Sequence, residues 1–178
     1  MGYPLFIICH HSGGSDANPL QDSSNFTFKD CEELHKKRFN FKSSLGFWTG
    51  YQYFIEKDGK LYQARKDTET GAHTIGYNNS SIGICMAGNF DVSLPTNAQI
   101  NALRALLQKK TKEWNIPYTS IHPHRWAANK TCYGRSLHDT WAMELAMENP
   151  DEISKLQALL EYLKQKLKEL KELFALKG

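Results

Sequence analysis

The chain has 178 residues, 40% of them hydrophobic and 23% charged, an ordinary globular composition that excludes disorder over most of its length and suits one buried core with an appendage better than two full domains. A formal charge of +3 is too small to argue for nucleic acid without a basic stripe interleaved with aromatics. The cysteines, Cys9, Cys31, Cys85 and Cys132, are widely spaced with no CxxC pair, so a disulfide framework is not expected.

The segment Met1 to Ile8 has no basic leading region and only a short apolar run before His10 and His11. It reads as a core strand, Leu5 to Cys9, rather than a signal peptide or membrane span, and synthesis in the cytosol is the expectation. A loop rich in Gly, Ser, Asp and Asn runs from Ser12 to about Asn25. The spacing of Phe28, Cys31, Leu34 and His35 then predicts a helix over Thr27 to Arg38. Tyr51–Glu56 and Lys60–Ala64 flank Asp58-Gly59, a strong hairpin signal. Ser81 to Ala87 reads as a second buried strand. Thr96 with Gln99 forms a capping box opening a helix whose apolar face carries Ile100, Leu103, Leu107 and Trp114.

Strands interspersed with helices predict an α/β domain over residues 1–148, a central mixed sheet flanked by helices. After Asn149 the character changes. Pro150 and Glu152 suit a helix start, and Ile153, Leu156, Leu160, Leu163, Leu167, Leu170 and Phe174 recur at alternating spacings of three and four. That heptad seam over residues 149–178 predicts an amphipathic helix, with a homo-oligomer favoured over a fold-back onto the first domain.

Candidate chemistry gathers at His10, at the end of the first strand, His124 in Ile121-His-Pro-His-Arg-Trp126, and Cys132. Two imidazoles and a thiolate form a plausible three-ligand zinc set that leaves a fourth position for water. A strand-end histidine is more often simply hydrogen-bonded, and a lone cysteine is usually a small core hydrophobe. No HExxH helix, Walker loop, GxSxG elbow or dinucleotide fingerprint is present, and a Cys132 nucleophile lacks an orienting partner.

Five blocks taken in order, Ile8–Ser12, Gly50–Ile55 with Asp58-Gly59, Gly71–Asn78, Ser81–Gly88 and His124–Cys132, resemble the type 2 N-acetylmuramoyl-L-alanine amidases, a family that includes phage lysozyme-type amidases and the peptidoglycan recognition proteins. The resemblance implies Zn2+ held by His10, His124 and Cys132. His122 rivals His124, but the family's phage members place a histidine eight residues before the cysteine and a lysine two before it, which selects His124 and Lys130. Either His10 or His11 can face the metal, not both, because strand side chains alternate.

The resemblance further implies that Lys130 stabilises the oxyanion, that Tyr51 hydrogen-bonds the attacking water or the carbonyl, and that His73 lines the substrate groove, with Asn78 and Arg65 as weaker substrate contacts. Turn formation by Asn78 and a solvated surface Arg65 are the competing readings. The implied activity is cleavage of the amide between N-acetylmuramic acid and L-alanine in peptidoglycan, by an endolysin-like or wall-remodelling enzyme that reaches the wall after release. A non-catalytic peptidoglycan receptor is the alternative, although such receptors typically lose the cysteine that Cys132 supplies. Departures from the family pattern are Cys85 where the recycling amidases carry a glutamate base, Gln52 for a frequent histidine, and Trp126 and Tyr133 where Asp and Pro are common.

Overall fold

The computed structural model describes residues 3–149 apart from 16, together with residues 160, 161, 163, 164, 166–168 and 171. The chain divides into two compact units, Met1–Met147 and Glu148–Gly178. In the second, the described residues from 160 onward are helical. Of the heptad positions, Ile153, Leu156, Leu170 and Phe174 lie outside the described residues, and with them the expected seam.

The first unit is built on a sheet of five strands: β1 (Phe6–His11), β2 (Tyr53–Ile55), β3 (Leu61–Gln63), β4 (Ser81–Met86) and β5 (Ile121–Pro123), in the order β3-β2-β4-β1-β5. β1 pairs in parallel with both β4 and β5, β2 pairs in parallel with β4, and the β2–β3 hairpin is antiparallel. The central strands β1 and β4 carry near-continuous apolar residues, as parallel strands covered on both faces do. The hairpin forms where Asp58-Gly59 predicts it, with Gly59 at φ 85°, a backbone region open mainly to glycine.

Side-chain alternation divides the sheet into two faces. Ile7, Cys9, Tyr53, Ile55, Ile82, Ile84 and Met86 pack against helices α2 (Asn97–Trp114) and α3 (Trp141–Met147), chiefly through Leu103, Leu107 and Leu145. Phe54 and Cys85 face helix α1 (Phe28–Phe39) through Phe28 and Cys31. The capping boxes at both long helices form, Thr27 with Asp30 and Thr96 with Gln99. Each helix ends on an asparagine in the left-handed region, Asn40 and Asn115, where a short polar side chain is tolerated. Two details differ from the periodicity reading. Leu34 is 48% exposed, so α1 buries Phe28, Cys31 and His35 instead. Leu106 joins Leu103 and Leu107 in the core, while Ile100 and Trp114 pack at its margin. Among the described residues, no helix is long and apolar enough to cross a membrane.

Arg65 corrects the sequence reading outright. Its side chain is fully buried. Its Nε donates to the Thr49 carbonyl at 2.7 Å, and its terminal nitrogens donate to the carbonyls of Thr70 and Phe41 and to the Glu69 carboxylate. All three guanidinium nitrogens are thereby engaged, and the residue braces the segments around 41, 49 and 70. Lysine has no such fork. Arg65→Lys is therefore expected to destabilise the fold by about 2–3 kcal/mol through carbonyls left unpaired, read as a lowered urea midpoint. An unchanged midpoint would return Arg65 to the list of surface contacts.

Candidate metal centre and active site

β1 delivers two histidines at its carboxyl end, and alternation separates them. His11 turns to the α2 side, where its Nδ1 accepts the Phe90 N–H at 2.9 Å and its ring lies 5.7 Å from that of Phe90. His10 takes the opposite face and opens into a cleft of about 560 Å³. The parallel register sets Ile8 beside His122. One pleat further along, His124 comes opposite His10, with ring centroids 4.5 Å apart. His122 lies back along the strand with its imidazole stacked flat on Trp126 at 3.9 Å, and it does not line this cleft.

Cys132 completes the group. Its Sγ lies 3.7 Å from His10 Nδ1 and accepts the His11 backbone N–H at 3.4 Å. The ligand atoms of His10, His124 and Cys132 all lie within 4.8 Å of one another. This donor set fits a zinc ion on chemistry as well as position, because it offers two neutral imidazoles, a thiol that ionises when a cation binds, and an open side. Burial holds His10 well below the usual imidazole range, with His73, His124 and His11 pushing in the same direction, and it lowers His124 to about 4. Both rings are thus uncharged and able to donate a lone pair at neutral pH. The other nitrogen of His10, Nε2, lies 3.1 Å from His73 Nδ1, the outer contact that orients a metal-binding imidazole.

The remaining sequence candidates fall at several depths. Lys130 is exposed at the rim of the cleft, and its charge bears on His10, His124 and Cys132. Tyr51 lines the wall with its ring 5.0 Å from that of His10. Burial, then the thiols of Cys85, Cys31 and Cys132, push its phenol well above the usual range, and a hydrogen bond with Cys85 acts in the same direction. The hydroxyl therefore stays protonated. His73 sits between the cleft and β4, with its Cδ2 2.6 Å from where a Cβ on Gly83 would lie, so only glycine at 83 admits the ring. Asn78 is a loop former more than a ligand contact, since its Oδ1 accepts the backbone N–H groups of His73 and Thr74 at 2.8 and 2.7 Å.

Several cleft residues escaped the sequence reading, Asp91 and His35 among them. Asp91 lines the cleft and accepts from Thr131 Oγ1 at 2.7 Å and from the Arg135 N–H at 2.8 Å. Burial opposes its ionisation, but these bonds leave its pKa below the usual carboxylate range. His35, on the buried face of α1, accepts the Gly50 N–H at 2.8 Å through Nδ1, and it also lines the cleft. Neither stands in a block with a signature of its own.

With this geometry in hand, comparison with known proteins is decisive. Residues 2–135 match the model of the N-acetylmuramoyl-L-alanine amidase family, Amidase_2. The chain belongs to this family. A peptidoglycan recognition protein of Bombyx mori is 39% identical over 113 residues, 61% of this chain and 57% of that protein. An N-acetylmuramoyl-L-alanine amidase of Mus musculus is 31% identical over 130 residues, 69% of this chain but only 24% of the longer protein. The chain therefore spans little more than half of the one relative and about a quarter of the other. Among solved structures, the amidase LysC from Clostridium intestinale superposes with a TM-score of 0.63 at 27% identity, covering 76% of this chain and 80% of that one.

Two outcomes follow for this family member. Burial pushes the Cys132 thiol up to about 12, although the His11 N–H and Lys130 act against it. Titrating Zn2+ into metal-free protein at pH 7 should then release about one proton, from Cys132, while the imidazoles release none. Calorimetry in buffers of different ionisation enthalpy measures this, and a heat independent of buffer would remove Cys132 from the ligand set. Burial also lowers His11 and His35 to about 4 and His73 to about 3. Below the unfolded value near 6.5, the unfolded chain binds protons that the folded chain does not, so stability falls as pH falls. Metal-free protein should lose on the order of 1–2 kcal/mol per buried imidazole between pH 7 and pH 5, with the loss ending near pH 4 for His11 and His35 and near pH 3 for His73. A flat thermal melting profile over that range would contradict it.

Proposed function

We propose that this chain hydrolyses the amide between the lactyl group of N-acetylmuramic acid and L-alanine in peptidoglycan, with zinc held by His10, His124 and Cys132. The observation that carries the reading is the convergence of these three side chains from β1, the turn after β5 and the following loop, all within 4.8 Å. The family match and the names of its amidase members support the reaction class.

Zinc on two imidazoles and a thiolate supplies Lewis acidity at the scissile carbonyl and makes a neighbouring water acidic enough to react near neutral pH. The protein's own groups do the rest. Lys130, at the open rim, presents an ammonium to the carbonyl oxygen as negative charge builds there. Tyr51 keeps its phenolic proton and can donate it as a hydrogen bond. His73 holds the His10 ring through Nε2, which keeps Nδ1 turned toward Cys132. Asp91 fixes the loop that carries Cys132 by taking hydrogen bonds on both sides of it, from Thr131 and Arg135.

The second reading is a peptidoglycan receptor without catalysis, favoured by the relatives named as recognition proteins. Cys132 argues against it, because a receptor has no need of a thiol beside two neutral imidazoles. Incubating metal-loaded protein with purified peptidoglycan and assaying new L-alanine N-termini separates the two. Wild type should release them, and His10→Ala and Cys132→Ser should fall to background. Lys130→Met should lower kcat by roughly 10²–10³ with little change in KM. Binding of peptidoglycan without release by the wild type would establish the receptor instead.

A further inference from the structure

A second cavity, of about 500 Å³, lies beyond Lys130, which lines both it and the metal cleft. It opens beside β5, the edge strand of the sheet, between the turn His124–Trp126 and the segment from Asp139 to Met143. Its wall carries the indole of Trp126 stacked on the His122 imidazole, with planes 9° apart. Phe6 and Tyr77 back that pair, with centroids 5.8 and 5.0 Å from Trp126. Although braced on these sides, Trp126 remains 45% exposed.

The two walls are tied together. Arg125, the neighbour of Trp126, pairs with the Asp139 carboxylate and donates to the carbonyls of Thr131, Gly134 and Leu137. An aromatic plane held in place at the mouth of a cavity, with Asn129, Lys130 and Thr140 around it, suits a small polar ring. The C–H face of a pyranose carries slight positive charge and meets the negative face of an indole. The amide, ammonium and hydroxyl nearby match the ring's hydroxyl and acetamido groups, the few placed polar contacts that orient a ligand in a pocket.

We propose that this cavity binds a further N-acetylated sugar of the glycan strand, next to the muramyl residue whose lactyl amide occupies the metal cleft. The inference rests on the amidase reading, since it takes the direction of the strand from that assignment, and Lys130 is the shared wall between the two positions. Trp126 is then a specificity-determining residue that favours polymeric peptidoglycan over released muropeptide.

The direct test uses soluble glycan strands stripped of their peptides, which contain no scissile amide, so the result stands whether or not the protein is an amidase. Calorimetric titration should show binding by the wild type, retained within about threefold by Trp126→Tyr and weakened at least tenfold by Trp126→Ala. Failure of the wild type to bind, or equal binding by Trp126→Ala, overturns the proposal. In turnover, Trp126→Ala should lower the ratio of kcat/KM on polymeric peptidoglycan to that on a muramyl-peptide monosaccharide by at least tenfold. An unchanged ratio, with both substrates falling together, would mark Trp126 as merely structural and likewise overturn it. If the wild type cleaves neither substrate, the amidase reading fails on its own, and the titration alone decides the cavity.

Discussion

Everything at the site depends on β1 lying between β4 and β5 in parallel. A strand bonded on both sides cannot slip its register without breaking two ladders, and a shift of one residue would exchange the faces of all its side chains. Here such a shift would turn His11 into the cleft and send His10 toward Phe90. The two parallel pairings, His10 beside Cys85 and Ile8 beside His122, thus decide which imidazole meets His124 and Cys132. The apolar run from Phe6 to Cys9 anchors that choice, because Ile7 and Cys9 must lie against α2 and α3 while Ile8 takes the other face.

The site sits where burial has made every donor neutral. Imidazoles excluded from water give up their protons, and a thiol excluded from water keeps its own. The set His10, His124 and Cys132 is therefore uncharged before a cation arrives and carries a single negative charge afterwards. That arrangement suits a divalent ion, which would keep a net positive charge on binding. Lys130 adds its charge from the rim, where solvent tempers its repulsion of a bound cation. A lysine buried at the same place would disfavour the metal.

Much of this was legible in the sequence, for identifiable reasons. The capping box at Thr96 is local, and it formed. The Asp58-Gly59 turn is local too. β5 spans only Ile121–Pro123 and α3 only Trp141–Met147, too short for a period to show, and their places come from packing on β1 and α2. Arg65 was misjudged because an arginine between a hairpin and a loop looks solvated until the chain folds three carbonyls around it. Asp91 and the cleft-facing edge of His35 were invisible, because what brings them to the cleft is the path of the chain after β4 and the tilt of α1. The ligand trio itself came from the resemblance, since His10 and Cys132 are more than a hundred residues apart and no spacing rule links them.

Cys85 shows how one buried side chain sets the charge of its neighbours. It stands beside His10 in the sheet register, and its thiol helps to push the Tyr51 phenol above its usual range. A carboxylate at that position would put a negative charge on the buried face beside His10. It would draw the Tyr51 proton into a strong hydrogen bond and raise the proton affinity of His10. With a thiol there, the phenol remains a neutral donor and His10 stays unprotonated. Lys130, at the cleft rim, adds positive charge on the open side of that neutral set.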